Sequence, residues 1–486
     1  MKRKEIALLL LLTFAALFVH GYHPAAEDSE IYVPSIIKIV HPSYYPVGQE
    51  FFEANAHLTL FPHLVAEVAR FTHASIWWLL FAGYLASIFL LLLACFQLAT
   101  KCFPSLAGRW SAVTLAAFLL TLPVAGTSLY IFDQYLNPRS ISAFAVIFAI
   151  DAAMGKKYWR TALWLLLTAA IHPFMTLFGV VFIVLWFVQH GESSRVPAMA
   201  ATCLLLWGGF LFRAPSSAYW QCLQDHRYYF LLRWTWYEWL GILAPLAILW
   251  WCKREANRRR HSVLARLAST TLVFELACFA AGLVVTIPRQ FEILAPYQPM
   301  RSLQLVYLLM FLFVGGLLGE YVLKDRWLRW ALLFIPVATG LCIAQFKLFP
   351  ATRHVEWPGA SSVNPWLQAF SWIRKNTPQD AIFALDPNYM ALPEENYQGF
   401  RAVAERSRLA DAKKDWSDAV LYPWLPLADD VLAQTQAVAG WKRFGSADFV
   451  RLKRAYGVTW VVLQYPAPPS LACPYENALV RVCRIE

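Results

Sequence analysis

The chain has 486 residues, of which 59% are hydrophobic and 15% are charged. Soluble domains contain about 25% charged residues, so this composition argues against a soluble protein and predicts an integral membrane protein. The formal charge of +11 does not indicate a nucleic-acid partner, because cytoplasmic loops of membrane proteins collect Lys and Arg and no nucleic-acid motif occurs.

Eleven apolar segments predict a polytopic α-helical membrane protein, since about 20 apolar residues cross a bilayer. The segments lie at about 5–21, 76–99, 110–131, 140–154, 159–171, 173–190, 196–213, 237–252, 264–287, 303–323 and 328–349. The long run from 159 to 190 is split at His172-Pro173, because proline interrupts a helix. One kinked helix there would change the count by one. The first segment is interpreted as an uncleaved helix rather than a signal peptide.

Charge predicts the orientation of these helices. With the amino terminus inside, every inside segment is basic, as the positive-inside rule requires. These segments are Met1–Lys4, Lys101–Arg109, Lys156–Arg160, the Arg195 turn, Lys253–Arg260 and Lys324–Arg329. The outside segments are acidic, and an odd number of crossings leaves the carboxyl terminus outside.

The composition changes at about residue 351, where Pro, Asn, Asp and Lys become more frequent. We therefore predict a transmembrane domain over 1–350, with a first extracytoplasmic loop at 22–75, and an extracytoplasmic domain over 351–486. Within the second domain we expect an amphipathic helix and short buried strands, in an α/β or α+β arrangement. These lie at 364–376, 381–385, 458–463 and 480–485. A disulfide between Cys473 and Cys483 is chemically allowed outside the cytoplasm.

Three carboxylates follow the first apolar segment, namely Glu27, Asp28 and Glu30. Acids in a loop are usually solvated. These acids, however, cluster at the expected membrane edge, where burial raises a carboxylate pKa and suits the group to base catalysis. They are the candidate catalytic residues.

Cations on the same predicted side are candidates for binding a phosphate. Arg139, Arg289 and Arg301 each adjoin an apolar segment, and guanidinium groups bind phosphate oxygens in a bidentate manner. The alternative is that these arginines only reach the lipid headgroups. His172 is a further polar candidate, or it satisfies backbone groups freed by Pro173. No Cys or His cluster has metal-ligand spacing.

Several stretches together carry a resemblance to a known family. They are Ala26-Glu-Asp-Ser-Glu-Ile-Tyr32, Asn137-Pro-Arg139, Ile171-His-Pro173 and Gln298-Pro-Met-Arg-Ser302. With the long first loop, the helix count and the outer domain, the chain resembles the GT-C superfamily of membrane glycosyltransferases, and also a group of uncharacterised bacterial membrane proteins of this layout. That resemblance implies a polyprenyl-phosphate sugar donor, a bacterial inner-membrane location and a periplasmic carboxyl-terminal domain.

The resemblance also implies roles for the candidate residues. Asp28 would be the base and Glu27 its partner, while outer arginines would hold the lipid phosphate. In many members a tyrosine follows the acidic pair closely. Here Tyr32, a further candidate for substrate binding, comes after Glu30, so either Asp28 or Glu30 would be the base. No cofactor is certain, although a divalent metal occurs in the oligosaccharyltransferase branch.

The sequence thus predicts a membrane enzyme that transfers a sugar from a polyprenyl-phosphate donor to a glycan, lipid or protein acceptor. Two other classes remain open. The first is a non-catalytic transporter or flippase for a lipid-linked sugar. The second is a membrane assembly protein for surface polysaccharide.

Overall fold

The computed structural model describes residues 2–191, 216–287, 289–392, 394–422, 425–464, 466, 468 and 471–486, without the side chains of residues 289 and 290. The predicted helix at 196–213 and the predicted Arg195 turn lie outside the described residues.

Helices dominate the described part of the chain. In chain order they are α1 (Arg3–His20), α2 (Ser29–Val40), α3 (Glu50–Ala56), α4 (Phe61–Thr72), α5 (Ile76–Cys102), α6 (Leu106–Phe118), α7 (Pro138–Met154), α8 (Tyr158–Ile171), α9 (Pro173–Gln189), α10 (Ser217–Asp225), α11 (Trp236–Arg258), α12 (Ser262–Thr286), α13 (Leu303–Leu318), α14 (Trp327–Leu348), α15 (Pro365–Asn376), α16 (Phe400–Ala404), α17 (Lys414–Ala419), α18 (Leu427–Ala437) and α19 (Ser446–Tyr456). The strands are β1 (Ile382–Ala384), β2 (Ser407–Arg408), β3 (Trp460–Leu463), β4 (Leu471–Glu476) and β5 (Arg481–Ile485).

Four of the described helical segments are long and apolar enough to cross a membrane. They are Ile76–Cys102, Ser262–Thr286, Phe291–Leu323 and Trp327–Leu348, and each overlaps a predicted span. The shortest has 22 residues, and about 20 suffice to cross a bilayer. These segments support the predicted multi-pass architecture, while the count of eleven crossings and the orientation stay predictions.

The predicted span at 110–131 is helical only in its first part. Helix α6 ends at Phe118, and the chain then forms an antiparallel bridge between Pro123 and Tyr130. The N–H of Val124 donates to the carbonyl of Leu129 at 2.8 Å within this turn. Pro123 has no N–H to donate to a helix, and hydrophobicity alone did not reveal this turn.

Helices α8 and α9 are separate, and His172 lies between them. The His172 N–H donates to the carbonyl of Thr168 at 2.6 Å, which closes α8. Its side chain accepts the N–H of Met175 at 3.4 Å at the start of α9. Pro173 occupies the first position of α9, where a missing N–H costs nothing. The predicted break at His172-Pro173 is therefore present.

The described residues form two compact units. One contains those of Met1–Gly21, Ala82–Leu211 and His226–Gln345, and the other contains those of Tyr22–Phe81, Phe212–Asp225 and Phe346–Glu486. The predicted loop at 22–75 thus groups with the carboxyl-terminal residues. We call the two groups the helical unit and the mixed unit.

Close helix packing marks the helical unit where α6 meets the end of α13. A Cβ on Gly319 would lie 2.3 Å from the carbonyl oxygen of Ala107, and a Cβ on Gly315 would lie 2.8 Å from that of Ser111. No side chain fits at such distances. Small residues therefore let these helix backbones approach, as is common between membrane helices.

A five-stranded mixed sheet lies at the centre of the mixed unit, in the order β2-β1-β3-β5-β4. Strand β1 runs parallel to β2 and β3, whereas β5 runs antiparallel to β3 and β4. Helix α15 packs Trp366 and Phe370 into one buried cluster with Phe383, Phe400 and Val462. The predicted helix and three predicted strands are present, and β2 and β4 are additional.

A disulfide joins Cys473 and Cys483, a pairing that the sequence allowed but did not decide. It joins β4 to β5, which are already paired antiparallel. The bridge therefore fixes the carboxyl-terminal hairpin of the mixed unit.

Residues 22–75 are folded and contain the three helices α2, α3 and α4. Helix α4 has a buried face that includes Phe61 and an exposed apolar face that includes Leu64, Val68 and Phe71. The segment is therefore an ordered part of the mixed unit, and the candidate acids lie at its start.

Candidate functional site

Glu30 lies in the first turn of α2 and is completely buried. Its Oε1 accepts hydrogen bonds from Nε and Nη2 of Arg408 at 3.0 and 2.8 Å. Its Oε2 accepts the backbone N–H of Ala402 at 3.2 Å, and Nη1 of Arg401 lies 3.6 Å from Oε1. Glu30 therefore joins α2 to the segment that contains α16 and β2, without access to solvent.

The two arginines that face Glu30 also bind a second buried acid. Nη1 and Nη2 of Arg401 donate to the two carboxylate oxygens of Asp415 at 2.7 and 3.0 Å, a bidentate pair. Nη1 of Arg408 donates to Asp415 Oδ2 at 3.0 Å, and its Nη2 contacts Asp411 Oδ2. We call these five residues, Glu30, Arg401, Arg408, Asp411 and Asp415, the buried charge cluster.

The buried charge cluster contains three carboxyl groups and two guanidinium groups. Burial raises the pKa of Glu30, although Arg408 and Arg401 oppose that effect. Burial also acts to raise the pKa of Asp415, but Arg401 and Arg408 outweigh it and the pKa is lowered. Unbalanced buried charge is costly. Burial therefore favours the protonated form of Glu30, whereas the arginines favour the ionised form of Asp415.

Gly399 allows Glu30 to reach this position. A Cβ at residue 399 would lie 2.6 Å from Glu30 Oε2 and 3.1 Å from its Cα. The Gly399 N–H also donates to the carbonyl of Ala25 at 2.7 Å. The backbone of residue 399 therefore packs directly against the acidic stretch, and any larger residue would displace it.

Glu27 and Asp28 share one cation. The Lys414 ammonium contacts Glu27 Oε2 and lies 2.9 Å from Asp28 Oδ1. The exposed fractions of the side chains are 33% for Glu27, 19% for Asp28 and 12% for Lys414. Unlike Glu30, these two acids therefore keep access to solvent, with two carboxyl groups against one ammonium.

The backbone beside this pair is held in an uncommon conformation. Glu27, Asn396 and Tyr397 have φ angles of 53°, 62° and 60°, which is the left-handed region that costs a non-glycine residue about 1–3 kcal/mol. The Glu27 N–H donates to the carbonyl of Tyr397 at 2.8 Å. The strained residues thus meet at one place, and this hydrogen bond helps to position the Glu27 side chain.

Two further buried acids lie near the acidic stretch. Glu395 is fully buried, and burial raises its pKa well above the usual value although the Gln398 N–H opposes that effect. Asp418 is also buried, and burial followed by the charge on Asp415 raises its pKa well above the usual value. Burial therefore favours the protonated form of both acids.

The acids do not fit a resident divalent metal. Among the described residues, no group of three or more His, Cys, Asp or Glu side chains is placed to hold a metal ion. The Lys414 ammonium contacts both Glu27 and Asp28, and Glu30 is hydrogen-bonded to Arg408. A cation bridging Glu27 and Asp28 would have to displace the ammonium.

Arg139, in the helical unit, already has an acidic partner. It lies in the first turn of α7 and is 7% exposed. Its Nη2 and Nε donate to Asp133 Oδ2 at 3.0 and 3.3 Å, and Asn137 Nδ2 donates to the same oxygen at 2.7 Å. Asn137 also caps α7 by accepting the N–H of Ser140. Arg139 therefore stabilises the turn before α7.

Arg301 is half-buried in the helical unit, and its Nε has no hydrogen-bond partner among the described residues. It lines a cavity of about 10 Å³ together with Thr127, Tyr228, Thr286 and Gln298. A cavity needs roughly 10–15 Å³ to hold one water molecule. A phosphate would therefore require this cavity to open.

The remaining candidates are distributed over both units. His172 caps α9 in the helical unit, and Tyr32 packs edge-on against Phe61 in the mixed unit with ring centroids 5.7 Å apart. The Arg289 side chain lies outside the described side chains. The candidate acids thus belong to the mixed unit, whereas Arg139, Arg301 and His172 belong to the helical unit.

Sequence reasoning missed the residues that hold the acids. Lys414, Arg401 and Arg408 lie more than 350 positions from Glu30. The composition of their segment is typical of a polar soluble region. Their spacing matches no motif. The mixed charges of Glu405–Asp418 gave no signal either, because such a stretch is compatible with simple solvation.

Comparison with known protein families and curated proteins gives one match that covers part of this site. A protein-family model described as a domain of unknown function (DUF6798) matches residues 364–443, and that segment contains Arg401, Arg408, Lys414 and Asp415. A comparison with curated proteins gives no match. The family model therefore covers the partners of the acids without assigning them a role.

Solved structures resemble most of the chain. Archaeal oligosaccharyltransferase AglB from Archaeoglobus fulgidus, in complex with an inhibitory peptide and a dolichol-phosphate, has a TM-score of 0.51 at 13% identity, covering 95% of this chain and 69% of that one. The A. fulgidus oligosaccharyltransferase in complex with Zn and sulfate has a TM-score of 0.50 at 15% identity, covering 93% and 67%. The chain therefore has a fold similar to that of AglB, a GT-C fold, as the resemblance implied.

Proposed function

We propose that the protein is a membrane glycosyltransferase that transfers a sugar from a polyprenyl-phosphate donor to an acceptor hydroxyl. The observation that carries the proposal is the pair Glu27 and Asp28, which stays partly exposed against Lys414 within a GT-C fold. One structural neighbour was solved with a dolichol-phosphate and a peptide, which supports a lipid-linked donor.

Asp28 is the base in this proposal. Its carboxylate accepts the proton of the acceptor hydroxyl, and the acceptor oxygen forms a bond to the anomeric carbon of the sugar. The bond from that carbon to the phosphate oxygen breaks, and polyprenyl phosphate leaves with the electron pair. Glu27 positions the Lys414 ammonium beside Asp28, since both carboxylates contact it. General-base assistance contributes about 10²–10⁴-fold to a rate.

Glu30 has a structural role in the proposal. It is completely buried and both of its oxygens accept hydrogen bonds from the chain, so it cannot touch an acceptor. Because its partners Arg401 and Arg408 also bind Asp415, Glu30 ties the start of α2 to the segment that supplies Lys414.

Arg301 is the first candidate for the donor phosphate, because its Nε lacks a partner among the described residues. Arg289, His172 and Tyr32 remain secondary proposals for substrate binding. Arg139 is a weaker candidate, because its guanidinium already pairs with Asp133.

The proposal needs no resident metal, because the Lys414 ammonium occupies the position between the two carboxylates. We further propose that the protein lies in a bacterial inner membrane and that its mixed unit is extracytoplasmic. The Cys473–Cys483 disulfide supports that side, since disulfides persist in oxidising compartments.

The test uses full-length protein in liposomes with a panel of polyprenyl-phosphate sugars. Release of polyprenyl phosphate is measured for the wild type and for Asp28→Asn, Glu27→Gln and Glu50→Gln. Glu50 is an exposed acid of the same segment, so its variant is the matched control. We expect Asp28→Asn to lower the rate by at least about 10²-fold, Glu50→Gln to match the wild type, and a chelator to have no effect.

Other outcomes would decide against parts of the proposal. Full activity of Asp28→Asn would remove Asp28 from the chemistry, and inactivation by a chelator would refute the metal-independent site. Movement of a lipid-linked sugar across the bilayer without release of polyprenyl phosphate would favour the transporter alternative.

A further inference from the structure

A second cavity lies within the mixed unit and involves none of the candidate acids. It is an open groove of about 510 Å³, within the range of about 300–1,000 Å³ that is typical of ligand sites. Residues from α10, α17, α18 and the turn after β1 line it. The groove is therefore large enough for a ligand.

The lining of the groove combines one aromatic ring with several polar groups. The Trp416 ring contributes a flat apolar surface, and the exposed amides of Gln221, Asn388 and Gln436 each supply donors and an acceptor. The buried Asp386 accepts the N–H of Asn388 at 2.9 Å, which fixes the turn that carries this amide. Besides Trp416, the lining contains few large apolar side chains, so the groove does not favour an apolar ligand.

Two exposed cations complete the lining. Lys442 and Arg443 follow Gly440, whose φ is +77° and next to which a Cβ would meet no atom within 4 Å. Against the single carboxylate of Asp386 they give the groove an excess of positive charge. A ligand that bears a carboxylate or phosphate is therefore favoured.

The groove and the Glu27–Asp28 pair share one short helix. Lys414 and Trp416 both belong to α17, and two residues correspond to a rotation of about 200° around a helix. The two side chains therefore leave α17 on nearly opposite sides, one towards the acids and one into the groove. The groove is thus a separate site of the same unit.

We propose that this groove binds a saccharide, preferentially one that carries acidic groups. Sugar hydroxyls both donate and accept hydrogen bonds, which the three amides match, and the C–H face of a pyranose ring packs on an indole. A peptide is less well matched, because the described lining residues include few apolar side chains. The proposal concerns binding alone and stands independently of sugar transfer.

The test measures binding to full-length protein in nanodiscs, without any sugar donor. The probes are a hyaluronan hexasaccharide, which bears uronates, the neutral chitohexaose and an acidic peptide of similar length. We expect saturable binding of both saccharides, tighter for hyaluronan. The double variant Lys442→Ala, Arg443→Ala should weaken hyaluronan binding by at least about tenfold, the effect of losing charge-assisted hydrogen bonds, and should leave chitohexaose unchanged.

A second variant fills the groove, and a third is the control. Gln436→Trp changes an exposed side chain and should abolish binding of both saccharides with unchanged thermal stability. Lys375→Ala removes an exposed lysine of the same unit that does not line the groove, and should bind as the wild type does. Saccharide binding that survives Gln436→Trp, binding of the peptide alone, or no binding at all would overturn the proposal.

Discussion

The substitution Arg408→Met tests whether the buried charge cluster stabilises the mixed unit. The guanidinium of Arg408, whose side chain is 1% exposed, binds Glu30, Asp411, Asp415 and the carbonyl of Leu409. Its removal leaves the acids with Arg401 as the one remaining guanidinium of the cluster. Removing one partner of a buried ion pair costs about 3–5 kcal/mol, and for a unit of this size each kcal/mol lowers the melting temperature by about 2–4 °C.

We therefore expect Arg408→Met to lower the melting temperature of the mixed unit by roughly 6–20 °C. The assay heats the purified protein with a thiol-reactive reagent and identifies labelled cysteines by mass spectrometry. Cys222 reports on the mixed unit, because it is a buried cysteine of α10 that is not part of the disulfide. Labelling of Cys222 should begin at a lower temperature in the variant.

Two companion variants sharpen this prediction. Arg451→Met removes an exposed ion pair with Asp448, and surface pairs contribute about 0–1 kcal/mol, so it is the matched control. Glu30→Gln keeps the shape of the side chain but should also lower the melting temperature, because its amide nitrogen would face an N–H donor that a Glu30 oxygen now accepts. A shift for Arg408→Met no larger than that of the control would refute the stabilising role of the cluster, and an unchanged melting temperature for Glu30→Gln would show that the Glu30 carboxylate does not contribute to it.

Three further predictions concern the same unit. Burial raises the pKa of Glu395 well above its ordinary 4.5, so the folded state keeps a proton that the unfolded state loses, and stability falls as the pH rises above about 4.5. Glu395→Gln should flatten that fall, as measured by melting temperatures between about pH 5 and pH 8; an unchanged slope would contradict it. Gly399→Ala should cost about 1–3 kcal/mol, because its Cβ would lie 2.6 Å from Glu30 Oε2, and a neutral effect in the thiol-labelling assay would show that Glu30 moves freely. Asn364→Ala should cost about 2 kcal/mol, because Asn364 Oδ1 caps α15 through the N–H groups of Trp366 and Leu367; Asn376→Ala at the other end of α15 is the control.

Membrane segments are the part of this fold that sequence reasoning predicts best. The segments around Ile76–Cys102 and Trp327–Leu348 were identified from length and hydrophobicity, because a bilayer requires an uninterrupted apolar helix. The break at His172-Pro173 was predicted for an equally local reason, the missing proline N–H. The end of α6 at Phe118 was not predicted, since the turn after it is itself apolar.

Sequence reasoning predicts the acids of the candidate site but not the cations that bind them. The acids stood out because Glu27, Asp28 and Glu30 follow an apolar segment directly. Their partners Lys414 and Arg408 did not, because charged residues in a polar region are compatible with simple solvation. Nothing local distinguishes the partly exposed Asp28 from the fully buried Glu30, two residues apart.

The sequence by itself determined the membrane class, the secondary structure of most segments and the region where acids cluster, because these depend on local composition and short-range periodicity. Only the tertiary structure decided which acid stays accessible. It places Arg408 against Glu30 and Lys414 against Glu27 and Asp28, and ion pairs between residues that lie more than 350 positions apart depend on packing rather than on neighbours in the chain.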